Sequence, residues 1–354
     1  MTDQIKVGIW GLGRAGLNMH ASELALYPQL FTIHSGYDLD LERNRILETK
    51  YGARTYTDAD AFLNDPEVEL ISIATRSPDH VTHCEKALAA GKYAFLEKPI
   101  ALTYAEGRKI LELDQAYPGK LYSRHNRRFE APFNHIKEIV ASGILGKVYE
   151  IKLCRHSFQR RNDWQTLIEC GGGQLNNWGP HLIDHALQFL DYKVVEMWSD
   201  LKKTVALGNA EDHLKIVFKG EDGCVVDLEI SGGAALPQNE YTLFGSLGAL
   251  TCQGSDIHLK YIQSGQVFKQ NEAFSGTPPL SGGVQNAYAD QEEINWIEEH
   301  IKVAPSKPID MHSIWEALYL AIKKDIPYPI SIQQAVAVVK ITDEVKSKTE
   351  FTTA

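Results

Sequence analysis

The sequence lacks the features of several protein classes. Its five cysteines lie far apart and form no CxxC pair, so neither a disulfide framework nor a metal site is indicated. No apolar run approaches about 18 residues, the length that a membrane-spanning helix needs. The amino-terminal residues reach a strand pattern at once, without the basic and apolar regions of an export signal. We therefore expect a cytoplasmic protein.

Positive charge is also scarce, since the formal net charge is −10. Nucleic acids and anionic membranes are bound by clustered lysines and arginines, so neither is an expected partner. The one dense basic run, RHNRRF from Arg124 to Phe129, is short and mixed with apolar residues. Two interpretations of this run stay open, a half-buried strand with paired arginines and an anion-binding site.

The order of the patterns predicts two domains. Residues 1–124 alternate short apolar runs with helical patterns, which is typical of βαβ units and of a doubly wound parallel sheet. Residues 125–354 contain several successive strand patterns with glycine-rich turns, which indicate an α+β domain with an open, mostly antiparallel sheet. Helical patterns are also expected at 292–301, 314–322 and 332–348.

A glycine-rich turn follows the first apolar strand and opens a helix. In VGIWGLGRAG, Gly11 would make the tight turn, Gly13 would let the backbone approach a pyrophosphate, and Gly16 would allow close helix packing. This order of strand, turn and helix predicts a dinucleotide site. The predicted cofactor-binding residues of the turn are Gly11, Gly13, Arg14, Ala15 and Gly16.

An acidic residue stands where such a site needs one. Asp38 ends the second predicted strand, 22 residues after Gly16. Its carboxylate would accept hydrogen bonds from the adenosine ribose and repel a 2′-phosphate, so NAD is favoured over NADP. Arg43 follows five residues later and could either stack on adenine or reach a 2′-phosphate.

Two further stretches carry candidate catalytic groups. Glu97, Lys98 and Pro99 follow a predicted strand at the carboxyl edge of the sheet, where ligands bind in open α/β folds. In GGGQLNNWGPHLID, His181 comes four residues after Asn177. This second stretch suits either an active site or a helix that begins at His181 and is capped by Asn177.

Four motifs together resemble one protein family. GLGRAG, EKP, HNRRF and GGGxxxNxxxHxxD are similar, in order and spacing, to motifs of the glucose-fructose oxidoreductase, inositol dehydrogenase and MocA family. The resemblance implies a nicotinamide-dependent oxidoreductase that acts on sugars, polyols or their derivatives. It also implies a Rossmann domain followed by an open sheet that joins subunits into a homodimer or homotetramer.

The resemblance also assigns roles by position. Lys98 matches the active-site lysine and His181 the catalytic histidine, while Glu97 and Lys98 join the cofactor contacts. The ATRSPDH segment matches a loop near the ribose and nicotinamide, which adds Thr75, Ser77 and His80 to that set.

This chain departs from the family pattern at two positions. Arg76 replaces the usual proline of that loop, and Asn177 replaces the usual aspartate before the histidine. His181 and Lys98 could still supply a path for the hydroxyl proton, with Asn177 orienting the imidazole without adding a charge.

The segment CRHSFQRRNDW offers candidate substrate contacts. Arg155, His156 and Trp164 would suit a hydroxylated or anionic sugar, by bidentate hydrogen bonds and by stacking. The same residues also suit a solvated strand and loop at a subunit contact.

Three functions fit these observations. The first is an NAD-dependent sugar or polyol dehydrogenase, and the second is a glycosidase of the same family that uses bound NAD for transient oxidation. The third is a non-catalytic sensor that keeps the cofactor. Retention of both Lys98 and His181 argues against the sensor.

Overall fold

A computed structural model describes residues 3–268, 293–304 and 310–351. Its first sheet consists of β1 (Ile5–Trp10), β2 (Phe31–Tyr37), β3 (Arg54–Tyr56), β4 (Leu70–Ile73), β5 (Tyr93–Glu97) and β6 (Leu121–Arg124). All neighbouring strands are parallel, in the order β3-β2-β1-β4-β5-β6. The predicted doubly wound Rossmann sheet is therefore confirmed.

Helices connect these strands. A π-helical turn over Gly16–Ala21 continues into α1 (Ser22–Leu24), and the later helices are α2 (Leu41–Tyr51), α3 (Ala59–Leu63), α4 (His80–Ala89) and α5 (Tyr104–Ala116). Asp40 caps α2 by accepting the Glu42 N–H. Thr103 and Glu106 form a capping box at the start of α5, which satisfies two backbone donors there.

Among the described residues, the second sheet has eight strands and is open at both edges. They are β7 (Val148–His156), β8 (Val194–Lys202), β9 (His213–Gly220), β10 (Val225–Ser231), β11 (Tyr241–Gly245), β12 (Gly248–Gln253), β13 (Asp256–Ile262) and β14 (Trp296–Lys302). Their order is β14-β13-β12-β11-β7-β10-β9-β8. Only β7 and β10 pair in parallel among these strands, so the mostly antiparallel sheet is confirmed.

The helix predicted at 292–301 is wrong, because residues 296–302 form strand β14. Ile297 and Ile301 lie opposite Tyr261 and Ile257 of β13. A spacing of four is close to one helical turn but is also an even number, so it places both side chains on one face of a strand as well. Residue 292 lies outside the described residues.

Helices cover one face of the second sheet. They include α6 (Ala131–Ala141), α7 (Gln174–Asn177) and α8 (Gly179–Phe189). Apolar side chains of α6 and α8 share a core with the inward side chains of the strands, including Phe133, Ile183, Ile151, Leu228 and Leu243. The other face of the sheet carries most of its charged side chains.

The last two helices, α9 (Ser313–Lys324) and α10 (Ile332–Ser347), confirm the helices expected at 314–322 and 332–348. They also pack on the first sheet. Trp315 of α9 is fully buried in a core with Ile5 and Phe95, and Val336 of α10 belongs to the core that contains Ile71. Helices α9 and α10 therefore pack on the first domain, although the domain boundary predicted from the sequence assigns them to the second.

None of the described helices has both the length and the apolar character needed to cross a membrane. All five cysteines are free thiols.

Candidate functional site

The glycine turn after β1 has the backbone that a dinucleotide cradle needs. Gly11 has a φ of +88°, and a Cβ there would lie 2.9 Å from the Ala74 backbone. A Cβ on Gly16 would lie 1.9 Å from the Gly11 carbonyl oxygen, so the helix could not approach the turn. A Cβ on Gly13 would meet only the Arg43 Nη1 atom, at 3.7 Å. The turn is therefore closed towards the sheet and open on the side where a pyrophosphate would bind.

Asp38 lies at the end of β2, as expected. Its Oδ2 accepts the Leu12 N–H of the glycine turn at 2.7 Å, and its Oδ1 accepts the Asp40 N–H at 2.9 Å. Arg43 lies 3.6 Å from the Asp38 carboxylate and 3.2 Å from that of Asp40. Both carboxylates hold Arg43 at the rim of the turn, and neither Asp38 nor Arg43 lines the adjoining cleft.

A cleft of about 500 Å³ lies between the two domains. It brings together most of the residues predicted to act there, namely Arg14, Ala15, Thr75, Ser77, His80, Glu97, Lys98, Trp164, Asn177 and His181. Residues from opposite ends of the chain thus meet at the carboxyl edge of the first sheet.

Lys98 extends into this cleft directly after β5. The Lys98–Pro99 peptide bond is cis. The Lys98 Nζ donates a hydrogen bond of 2.9 Å to the main-chain carbonyl oxygen of Asn177. Burial, together with the nearby guanidinium groups of Arg124 and Arg127, lowers the pKa of Lys98 to about 8, although Glu97 acts in the opposite direction. The amine can therefore both hold and release a proton near neutral pH.

Glu97 is held by partners on three sides. Its Oε1 accepts from Arg124 Nη1 at 2.7 Å and lies 3.0 Å from His20 Nε2, while its Oε2 accepts the Lys98 N–H at 2.8 Å. Burial would raise the pKa of Glu97, but the Arg124 guanidinium and His20 outweigh it and hold this pKa far below its usual range. Glu97 is therefore a charged anchor for the backbone of the lysine.

Arg124 links this anchor to the carboxyl-terminal helices. It is only 1% exposed, and its second nitrogen donates to Glu23 Oε2 at 2.5 Å. The same Glu23 oxygen accepts the indole N–H of Trp315 at 2.7 Å. A buried guanidinium needs partners that offset its charge, and the Glu97 and Glu23 carboxylates provide them, although the Arg124 Nε has no hydrogen-bond partner among the described residues. For Arg124, the paired-arginine interpretation of the basic run therefore applies.

His181 faces Lys98 from the second domain. It lies in the first turn of α8 and is 7% exposed. Burial and the neighbouring charges of Lys98 and Arg127 hold the pKa of His181 well below its usual range, so the ring is neutral at pH 7. Its Nδ1 is buried and has no hydrogen-bond partner among the described residues. His181 thus lines the cleft as a neutral imidazole, and its Nδ1 has no partner of its own among the described residues.

Asn177 does not have the expected role towards this ring. The structure assigns no hydrogen bond between the Asn177 amide and His181, and it is the Asn177 carbonyl that contacts Lys98. The capping interpretation is also wrong, because Trp178 is the N-cap of α8 and no side chain caps this helix. Asn177 is the last residue of the preceding short helix α7 and lines the cleft.

The loop after β4 is held by His80. The His80 Nδ1 lies 2.7 Å from the Pro99 carbonyl oxygen, and its Nε2 lies 3.2 Å from the Thr75 carbonyl oxygen. Burial lowers the pKa of His80 although both carbonyls favour the protonated ring. His80 therefore ties the Thr75 loop to the turn that carries Lys98. Arg76, which replaces the usual proline, lies over the ring of Trp164 at 5.8 Å.

Two of the three predicted substrate contacts do not line the cleft. Arg155 pairs with Glu240 at 2.7 Å, and the ring of His156 lies 3.2 Å from Glu229. Both are residues of β7, which is a strand of the second sheet. Only Trp164 lies in the cleft, so the expectation for Arg155 and His156 does not fit this geometry.

Sequence reasoning missed several residues of the cleft. The missed residues are Met19, Arg124, Asn126, Arg127, Gln159, Gln165, Asn176, Trp178 and Met311, whereas Arg161 of the CRHSFQRRNDW segment was a candidate and does line the cleft. Trp178 has guanidinium groups on its ring, with Arg127 at 4.2 Å and Arg155 at 4.0 Å from the centroid. The basic run and the GGGQLNNW stretch were signals for Arg127 and Trp178, but neither pattern shows which side chain faces a ligand.

Comparison with known families agrees with this site. Residues 5–125 match the model of the "oxidoreductase family, NAD-binding Rossmann fold", and residues 133–251 match the "GFO/IDH/MocA C-terminal domain". The glycine turn, Asp38, His80 and Lys98 all lie within the first match.

Individual relatives match along nearly the whole chain. The uncharacterized oxidoreductase YdgJ of Escherichia coli is 25% identical and covers 97% of this chain and 96% of its own. The scyllo-inositol 2-dehydrogenase (NADP(+)) IolW of Bacillus subtilis is 22% identical and covers 96% and 92%. An oxidoreductase structure from Thermotoga maritima has a TM-score of 0.79 at 20% identity, covers 97% and 95%, and supports the fold alone.

Proposed function

Because the chain belongs to the oxidoreductase family with an NAD-binding Rossmann fold, we propose that it is a dehydrogenase of CH–OH groups. Its substrate is a sugar, a polyol or a derivative of either. The observation that carries this proposal is the meeting of Lys98 and His181 in one cleft beside the glycine turn. Lys98 is half-buried and His181 is buried, and each has a lowered pKa.

The residues of the cleft suit a nicotinamide dinucleotide. The open side of the glycine turn offers backbone N–H groups to a pyrophosphate, and Arg14 lies beside it. Asp38 would accept hydrogen bonds from ribose hydroxyls, which supports NAD over NADP. When bound, the cofactor supplies the hydride acceptor for oxidation of the hydroxyl carbon.

The protein's own contribution is to move the hydroxyl proton. With a pKa of about 8, a substantial fraction of Lys98 is neutral in mildly alkaline solution, and the neutral amine can accept this proton. The neutral His181 lines the same cleft and orients this hydroxyl. The Asn177 carbonyl and the Glu97 carboxylate hold the lysine at its side chain and at its backbone.

The second-domain side of the cleft suits a polyhydroxylated substrate. Asn176 is 4% exposed, and its Oδ1 has no hydrogen-bond partner among the described residues. The indoles of Trp164 and Trp178 line the cleft together with this amide and His181. Alternating hydroxyls and C–H faces of a sugar or inositol match such a surface. The named activity of IolW, an inositol dehydrogenase, agrees with this substrate class.

An assay of cofactor reduction tests the proposal. The full-length protein is incubated with NAD or NADP and a panel of polyols and aldoses, and reduced cofactor is followed by its absorbance. We expect stoichiometric net reduction with at least one free polyol or aldose. Substrate turnover with no net reduced cofactor would instead indicate the glycosidase, and cofactor binding with no turnover across the panel would indicate the sensor.

We also propose that two copies pair through the outer face of the second sheet, the face without helices. Trp198 of β8 and Trp296 of β14 are 57% and 47% exposed on that face. Exposed tryptophans on both edge strands are typical of a protein interface. Light scattering should report a dimer or tetramer whose mass falls for Trp198→Glu. The five free thiols support a reducing compartment, which we propose is the cytoplasm.

A further inference from the structure

Three metal-ligating side chains lie together on the outer face of the second sheet, outside the cleft. The ligand atoms of His258, Glu298 and His300 all lie within 4.8 Å of one another. The His258 Nε2 lies 2.6 Å from the Glu298 Oε1. The two imidazole rings are nearly parallel, with centroids 4.3 Å apart. Two imidazoles and one carboxylate are a common ligand set for zinc.

Strand pairing is what brings these groups together. His258 of β13 and His300 of β14 are directly opposite each other in the antiparallel ladder. Glu298 lies two residues before His300, and therefore on the same face of β14. Their positions are set by backbone hydrogen bonds and not by a flexible loop. Cysteine spacing could not indicate such a site, because it has no cysteine and its ligands are about 40 residues apart.

We propose that His258, Glu298 and His300 form a binding site for a borderline divalent transition-metal ion such as Zn²⁺. In a tetrahedral zinc site with bonds of about 2.0–2.1 Å, neighbouring ligand atoms are about 3.3 Å apart. The present separations bracket that value, from 2.6 Å for His258 and Glu298 to the 4.8 Å limit of the group. All three side chains are exposed, so small rotations can bring the ligands to the metal. Water would complete the coordination.

The hydrogen-bonding of the three residues favours a metal over a purely structural cluster. His300 has no hydrogen bond or salt bridge among the described residues and contacts only the ring of His258. Glu298 has one cation nearby, with Lys260 Nζ at 3.4 Å from its Oε2, which leaves Oε1 directed at the imidazoles.

A second group of potential ligands lacks this character. His34, Asp65 and Glu67 also lie within 4.8 Å of one another. However, Asp65 already accepts the Tyr56 hydroxyl at 2.7 Å, and the Arg54 guanidinium lies 3.4 Å from it. A guanidinium beside the carboxylate supplies the positive charge that a metal would supply. We therefore assign the site to the sheet face alone.

A metal at this position would join the edge strand to its neighbour. In the part of the chain that the structure describes, β14 is the last strand of the sheet and pairs only with β13. An ion bound by residues of both strands adds a cross-link at an edge that is otherwise held by one ladder. All three ligands come from one chain, although they lie on the outer face through which we propose that two copies pair.

Calorimetric titration of the chelator-treated, full-length protein with ZnCl₂ tests this site. We expect one zinc ion per chain for the wild type and at least a 10-fold weaker affinity for His300→Asn, His258→Asn and Glu298→Gln. The control is His135→Asn, since His135 is an exposed histidine 3.2 Å from a single carboxylate, Glu138. This control should bind zinc like the wild type.

Cobalt(II) gives a second readout that does not depend on activity. Tetrahedral Co²⁺ bound to the wild type should show strong visible absorption that is lost in His300→Asn. Zinc affinity equal in the wild type and in His300→Asn would overturn the proposal, because the metal would then bind elsewhere. Absence of any zinc binding to the wild type would overturn it as well. Circular dichroism checks that each variant is folded.

Discussion

The two walls of the cleft differ in how their polar groups are satisfied. On the first-domain wall, Glu97 and His80 each contact two or more partners within the protein. On the second-domain wall, the His181 Nδ1 and the Asn176 Oδ1 are buried without a hydrogen-bond partner among the described residues. A buried polar group without a partner costs roughly 1–3 kcal/mol, so such groups usually await a ligand.

This difference indicates that the two walls of the cleft have different functions. On the first-domain wall, the contacts of Glu97 and His80 hold the turn that carries Lys98 at a defined position. The second-domain wall leaves hydrogen-bonding atoms free for a substrate that carries several hydroxyl groups. Substitutions on the first wall should therefore change turnover or cofactor choice, whereas those on the second should change substrate orientation and pH dependence.

The largest expected effect comes from Lys98→Met. Removing the amine should lower kcat by at least about 100-fold, the usual scale for a positioned proton-transfer group. Cofactor affinity, measured by direct titration, should change little, because the glycine turn and Asp38 remain. Lys193→Met is the control, since the Lys193 side chain is 59% exposed and pairs only with Asp191. Near-normal turnover of Lys98→Met would place the chemistry elsewhere.

His181→Ala probes the opposite wall. We expect kcat to fall by about 100-fold, at the lower end of the range for acid–base groups, because Lys98 is still present. His135→Ala, on the exposed surface of α6, should leave kcat unchanged. Thermal unfolding of both variants checks their folding. A folded His181→Ala protein with wild-type kcat would contradict a role for this ring.

A smaller effect concerns cofactor choice on the first wall. NAD should bind at least about 10-fold more tightly than NADP, a difference of about 1.4 kcal/mol, because the Asp38 carboxylate repels a 2′-phosphate. Asp38→Asn keeps a hydrogen-bond acceptor for Leu12 but removes the charge, so the preference should shrink. Asp40→Asn, which removes a charge next to Arg43, is the control. Tighter binding of NADP by the wild type would show that Arg43 dominates.

The smallest effect is a shift in pH dependence. With a pKa of Lys98 of about 8, kcat/KM for oxidation should rise as the pH passes through about 8 and the amine loses its proton. Asn177→Asp would place a negative charge near this amine and favour its protonated form, so the midpoint should move to higher pH by about 1 unit.

Asn177→Asp should also raise the pKa of His181. The acidic limb of the kcat/KM profile, where this ring becomes protonated, should therefore move to higher pH. The control is Asn209→Asp, which adds the same charge on an exposed loop of the second domain. It should leave both the midpoint near pH 8 and the acidic limb of the kcat/KM profile unchanged. An unchanged profile for Asn177→Asp would mean that the carboxylate does not reach either group.

Much of the first wall could be predicted from local patterns. The glycine turn, Asp38 and Lys98 each follow a strand, and parallel strands bring their carboxyl ends to one edge. The second wall was predicted less well. Arg155 and His156 were expected in the cleft, but the direction of a side chain on β7 depends on strand register, which a single segment does not reveal.

Long-range packing explains the remaining differences. The strand at 296–302 was expected to be a helix, because the spacing of Ile297 and Ile301 fits both structures and only pairing with β13 decides between them. The link from Trp315 through Glu23 and Arg124 to Glu97 joins residues up to 292 positions apart. No local pattern predicts that these buried groups are partners.

The sequence by itself determined the Rossmann sheet, the dinucleotide turn and the position of Lys98 at its edge. These depend on hydrophobic period, glycine geometry and chain order, all of which are local properties. Only the tertiary structure decided that the Asn177 carbonyl contacts the lysine and that His181 keeps a free nitrogen. It also decided that two histidines and a glutamate meet on the sheet face. Such contacts arise from the packing and pairing of distant segments, whose energies no single segment of sequence contains.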